Sequence, residues 1–96
     1  MYLEKELEMV TENIKIINSL GLHARPAAQI VKITTKYDCD VFISKDDMEV
    51  NAKSIMGVMM LAAEQNSFIT VKCDGNGESD CLHELKNLIG NKFYEE

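Results

Sequence analysis

The 96-residue sequence predicts an α+β fold, a two-layer sandwich in which a four-stranded, mostly antiparallel sheet carries three helices on one face. Three observations predict it. Segments of period two and segments of period 3.6 follow one another in the order βαββαβα. Each helical segment carries an apolar stripe that has to be buried on something. The strand segments alternate, so that one face of the sheet is apolar and the other polar.

The elements follow in order. Residues 1–10 carry scattered charges and little strand character, and read as a short helical extension ahead of a single domain over 11–96. Asn13-Ile14-Lys15-Ile16-Ile17 alternates as a first strand beginning near Thr11. A helix should start at Ala24, bury Ala27, Ile30, Val31 and Thr34, and close near Lys36 and Tyr37. Pro26 is compatible with its first turn, where a missing N–H has no partner to lose. Val41-Phe42-Ile43 is a second strand, Lys45-Asp46-Asp47 a polar turn, and Met48-Glu49-Val50-Asn51-Ala52 its partner. Ser54 then caps a helix over Ile55 to Ala62. Phe68 to Cys73 alternates with Ile69, Val71 and Cys73 on one side. A last helix runs from Gly77 or Glu78 to Ile89, with Leu82, Leu85 and Ile89 as its stripe and Gly90 as its stop.

Composition narrows the partners. A net charge of −6, with no clustered Lys and Arg, excludes a nucleic-acid binder. No apolar run approaches the length of a membrane span. The first residues are acidic where a signal peptide would be basic, so the expected location is the cytoplasm. Cys39, Cys73 and Cys81 are odd in number and sit in apolar-patterned segments, as buried reduced thiols do. Cys81 and His83, with Cys73 upstream, match no standard metal-ligand spacing. Neither a metal nor a cofactor is expected.

The run Gly21-Leu22-His23-Ala24-Arg25-Pro26-Ala27 carries the chemistry. It sets His23 at a helix N-cap, where free backbone N–H groups and the positive end of the helix attract phosphate. The candidate donors are the N–H groups of Ala24, Arg25 and Ala27. The same positive end disfavours protonation of the imidazole and keeps it nucleophilic. Arg25 can add a charge-assisted hydrogen bond. Imidazole phosphate is readily passed on, so the site suits relay rather than storage. His83, isolated on the last helix, takes the ordinary surface role of a histidine.

Lys53-Ser54-Ile55-Met56 is a second block of interest. Ser54 reads first as a plain N-cap. As a phosphorylation point it would place negative charge where a helix tolerates it, so that any effect would fall on a docking partner. Met56 and Met59 fit a core position and an adaptable docking patch equally well, with Ile55 beside them and Val58 and Leu61 in the core.

At these two blocks the chain resembles the HPr family, the histidine-containing phosphocarriers of the bacterial phosphotransferase system. Gly21 to Ala28 is similar to the family's active-site signature, and Lys53 to Met59 to its regulatory-serine region. The resemblance, which extends from Thr11 to Ile89, implies an open-faced sandwich and a carrier rather than an enzyme. It implies that His23 takes a phosphoryl group from phosphoenolpyruvate by way of enzyme I and passes it to enzyme IIA domains, with Arg25 contacting the phosphate. It implies that Ser54 is the target of HPr kinase/phosphorylase, in connection with a transcriptional regulator, and that Ile55, Met56 and Met59 belong to the docking surface.

Two alternatives stand beside this reading. Asn18-Ser19-Leu20 resembles the nitrogen-related branch of the family as much as the sugar branch, with Leu20 where many sugar-branch members carry a small polar residue. A module of that branch would act mainly by docking to regulatory proteins. A small phosphohydrolase would need a second histidine or acid beside His23, and only His83 is available, on another helix.

Overall fold

The computed structural model describes residues 9–95. The extension expected over 1–10 therefore lies outside the described residues except for its last two positions. Of these, Val10 already belongs to the first strand, because it pairs with Cys73.

The elements are β1 (Val10–Lys15), α1 (Ala24–Thr34), β2 (Asp40–Lys45), β3 (Met48–Asn51), α2 (Ile55–Met60), β4 (Phe68–Asp74) and α3 (Glu78–Gly90), in the expected order βαββαβα. The four strands form one sheet ordered β1-β4-β2-β3, and all three pairings are antiparallel. Lys45 pairs with Met48, so Asp46 and Asp47 make a two-residue hairpin, and Asp46 takes the left-handed conformation such tight turns need.

Alternation decides which face is covered. In β4, Ile69, Val71 and Cys73 are buried while Phe68 and Asp74 are exposed, and Val41 and Ile43 of β2 point to the same buried layer. Ile30 and Ala27 of α1, Val58 of α2, and Leu85 and Ile89 of α3 fill that layer from the other side. A fully buried side chain of this size contributes about 1.5–3 kcal/mol, so these few stripes hold the helices on the sheet.

Several boundaries differ from expectation, with β1 ending at Lys15 rather than Ile17 and β3 at Asn51 rather than Ala52. Helix α1 closes at Thr34 because its end tightens, with Lys36 and Tyr37 donating to carbonyls three residues back, Ile33 and Thr34. Helix α2 stops at Met60, since Ala62 already has a positive φ of 48°. Beyond α3 a short turn with left-handed backbone, Lys92–Tyr94, returns the chain to the core and buries Phe93 completely.

Candidate functional site

His23 is the N-cap of α1, with extended backbone (φ −83°, ψ −170°), and its side chain makes no capping hydrogen bond. The first helical bond runs from the Ala27 N–H to the His23 carbonyl at 3.0 Å. This corrects the expectation for Ala27, whose N–H is occupied by the helix itself and is no free phosphate donor. Pro26 has none to offer. The N–H groups of Ala24 and Arg25 precede the ladder, no side chain caps them among the described residues, and the first turn itself contains no acidic residue.

Arg25 is exposed and, among the described residues, enters no ion pair or side-chain hydrogen bond. It stands one residue into the helix, free to reach an anion at its N-terminus. The loop in front packs closely on the segment after α2. Gly21 has φ +68°, and a Cβ there would lie 2.3 Å from the Ala63 carbonyl oxygen, so the position requires glycine.

The half-exposed His23 ring has a partner of its own, the Glu95 carboxylate, with Nε2 and Oε2 2.7 Å apart. Oε1 of Glu95 accepts a hydrogen bond from Asn18 Nδ2 at 2.9 Å, and the same Nδ2 donates to the Gly21 carbonyl at 2.8 Å. Partial burial pushes the Glu95 carboxyl upward, but Asn18, His23 and the charge of Arg25 together hold it below the usual glutamate range. Neither Asn18 nor Glu95 emerged as a site residue from the sequence. Asn18 left a faint signal, a polar residue between the apolar strand and the Gly21 turn.

Ser54 caps α2 as expected, its Oγ accepting from the Gly57 N–H at 3.0 Å. It lies beside the far end of α1. Thr34 Oγ1 donates to the Ala52 carbonyl at 2.8 Å, and Lys53 Nζ to the Tyr37 carbonyl at 2.8 Å. Ser54 is therefore separated from His23 by roughly 15 Å, the length of an eleven-residue helix. Of the two readings of the methionines, exposure favours the patch. Met56 is 72% exposed and Met59 40%, with Ile55 at 43%, while Val58 and Leu61 are buried.

The remaining candidates stand apart. His83 is exposed on α3, next to Asn87. The three thiols are unpaired and buried together where β2, β4 and α3 meet. Burial pushes Cys39 up to about 11, and a hydrogen bond to Cys73, with burial, raises Cys81 further. Among the described residues no group of three or more His, Cys, Asp or Glu could hold a metal ion, and no helix is long and apolar enough to cross a membrane. Two surface hollows, one around Leu82 and one around Leu88, include neither His23 nor Arg25.

This fold, with a histidine at the N-cap of its first helix, is that of a phosphocarrier domain, and comparison with known proteins agrees. Residues 10–91 match the family model for the PTS HPr component phosphorylation site. The chain is 42% identical over 88 residues to phosphocarrier protein HPr of Xylella fastidiosa, covering 92% of this chain and 99% of that one. It is 41% identical to phosphocarrier protein HPr of Treponema pallidum, covering 92% and 100%. The crystal structure of HPr-C-His from Thermoanaerobacter tengcongensis superposes with a TM-score of 0.84 at 41% identity, over 94% of this chain and 99% of that chain. The chain belongs to the HPr family, the phosphocarriers of the phosphotransferase system.

Proposed function

We propose that His23 is the phosphoacceptor of a cytoplasmic relay, taking a phosphoryl group from enzyme I and passing it to enzyme IIA domains. The observation that carries this reading is the end of α1. A half-exposed imidazole stands beside the N–H groups of Ala24 and Arg25 and the guanidinium of Arg25, none of which has a partner among the described residues. A phosphoryl group on the ring would meet donors already oriented for it. Because no side chain caps the helix, arrival of the phosphate breaks no existing bond to those donors. The protein carries the group and turns over no small molecule.

The exposed Ile55, Met56 and Met59 supply an apolar surface for the partner proteins, and Ser54 at its margin is the regulatory residue of this reading. A phosphate added there, by HPr kinase/phosphorylase, would act through docking rather than on the chemistry, since Ser54 is remote from the ring. A transcriptional regulator reading the Ser54 state would use the same surface. A second reading, membership of the nitrogen-related branch, is favoured by Leu20, which lies three residues before His23 and is 71% exposed. An apolar side chain there would select the donor by contact.

Incubation with phosphoenolpyruvate and either enzyme I paralogue, sugar-related or nitrogen-related, tests both readings. An acid-labile, base-stable phosphate is expected on the protein, and the faster paralogue identifies the branch. No label from either one overturns the relay.

A further inference from the structure

His23 has an ionic partner from the opposite end of the chain, and the partner is itself held. Asn18 is fully buried, and its amide nitrogen faces two acceptors, the Gly21 carbonyl at 2.8 Å and Glu95 Oε1 at 2.9 Å. Only the NH₂ side of the amide can satisfy both, which fixes its orientation and leaves Oδ1 without a partner among the described residues. A buried amide with an idle oxygen is costly, so the arrangement marks a place where geometry is maintained against stability.

The tail that delivers Glu95 is equally constrained. Lys92, Phe93 and Tyr94 have φ values of 56°, 57° and 57°, which residues with side chains rarely adopt. Phe93 is wholly buried, and its carbonyl accepts from Gln29 Nε2 of α1 at 3.2 Å. The Glu95 N–H then donates to the Lys92 carbonyl at 3.1 Å. Phe93 anchors the turn, and the turn aims the carboxylate at the ring.

We propose that Glu95, clamped by Asn18, is a positioning residue that fixes His23 in the Nε2–H tautomer and holds the ring's orientation for phosphoryl transfer. This deepens the relay reading and rests on it. An ionised carboxylate only accepts hydrogen bonds, so the 2.7 Å contact requires the proton on Nε2. Asn18, His23 and Arg25 keep Glu95 ionised near neutrality. The neutral ring then carries its lone pair on Nδ1.

In transfer, that pair forms the N–P bond while the bond from phosphorus to the donor's leaving group breaks, its electron pair departing with the leaving group. No proton leaves the ring. The product is a cationic phosphoimidazole whose Nε2–H still faces the Glu95 carboxylate, which stabilises the charge that develops.

The test is imidazole ¹⁵N NMR above the titration of His23, with the rate of phosphoryl transfer from enzyme I, on the wild-type chain and on Glu95→Gln and Glu95→Ala. Glutamine keeps the size of the side chain but offers one acceptor oxygen where Asn18 and His23 require two. Wild type should show Nε2 protonated and Nδ1 bare. Both variants should lose that dominance and transfer about ten- to a hundred-fold more slowly, the range expected for one hydrogen bond to a charged group. A wild-type ring protonated on Nδ1, or a variant with an unchanged tautomer or an unchanged rate, overturns the proposal. Absence of any transfer to wild type overturns the relay instead. The NMR comparison, which needs no donor, still decides whether Glu95 sets the tautomer.

Discussion

The Leu22 N–H donates to the Ala63 carbonyl at 2.9 Å, so the loop that presents His23 is bonded directly to the segment leaving α2. Ala63 is buried, and the loop closes on it through Gly21 with no room for a larger residue. The apolar face of α2 and the His23 ring are thus linked through the Gly21–Leu22 loop. A partner docking on Met56 and Met59, as proposed, would meet His23 across that link.

Gly21→Ala should disturb that link. A left-handed conformation costs a residue with a Cβ about 1–2 kcal/mol, and overlap with the Ala63 oxygen adds to it. Thermal unfolding should drop by about 4–8 °C per kcal/mol for a domain of this size, with His23 labelling impaired. A melting curve identical to wild type would show that the loop adjusts freely.

Arg25→Ala should slow phosphoryl transfer by about ten- to a hundred-fold, the value of one charge-assisted hydrogen bond made in the transition state. Stability should be unaffected, because Arg25 is exposed and bonded to nothing else among the described residues. In the same assay His23→Ala should abolish labelling, and His83→Ala should leave it intact. Label on the His23→Ala protein would move the acceptor elsewhere.

Ser54 separates two effects in one residue. Ser54→Ala removes the bond to the Gly57 N–H and should cost about 0.5–2 kcal/mol, as lost N-caps do. Ser54→Asp keeps an acceptor at the cap and adds charge at the favourable helix end, so its melting temperature should stay near wild type. It should nevertheless raise the apparent KM of enzyme I for this protein, because a solvated charge then borders an apolar surface that has to dry on docking. Equal kinetics for Ser54→Asp and wild type would reduce Ser54 to a cap.

Glu95 makes stability depend on acid pH. Its folded pKa is lowered from 4.5, so the folded state binds the proton less readily than the unfolded one. The contribution is fully present above that value and is lost as pH falls through the lower folded value. The melting-temperature advantage of wild type over Glu95→Gln should be constant near neutrality and shrink in acid. An advantage unchanged in acid would have another source.

Much of the fold is legible in the sequence because it is local. Period two marks β4 and period 3.6 marks α3, and both patterns survive because one face of each element is buried. Ser54 is read as a cap from its type and place. What is not legible depends on distant groups. Nothing between Gly90 and Phe93 is periodic, so the turn that buries Phe93 has no pattern to betray it. Glu95 meets His23 across 72 positions, and its neighbourhood in sequence is simply acidic. Ala27 escapes the sequence for a subtler reason: its N–H is freed or occupied according to whether the His23 carbonyl enters the helical ladder, which only the backbone decides.

The strand order carries a kinetic consequence. β4 lies between β1 and β2, and Val10 pairs with Cys73, so the sheet cannot close until its last strand joins two that precede it. That pairing closes a long loop, whose entropy must be surrendered before any contact between the strands rewards it. The β2–β3 hairpin, closed by two residues, can form alone and early. Folding should therefore proceed on a millisecond rather than a microsecond scale, with β4 entering late between strands already waiting for it.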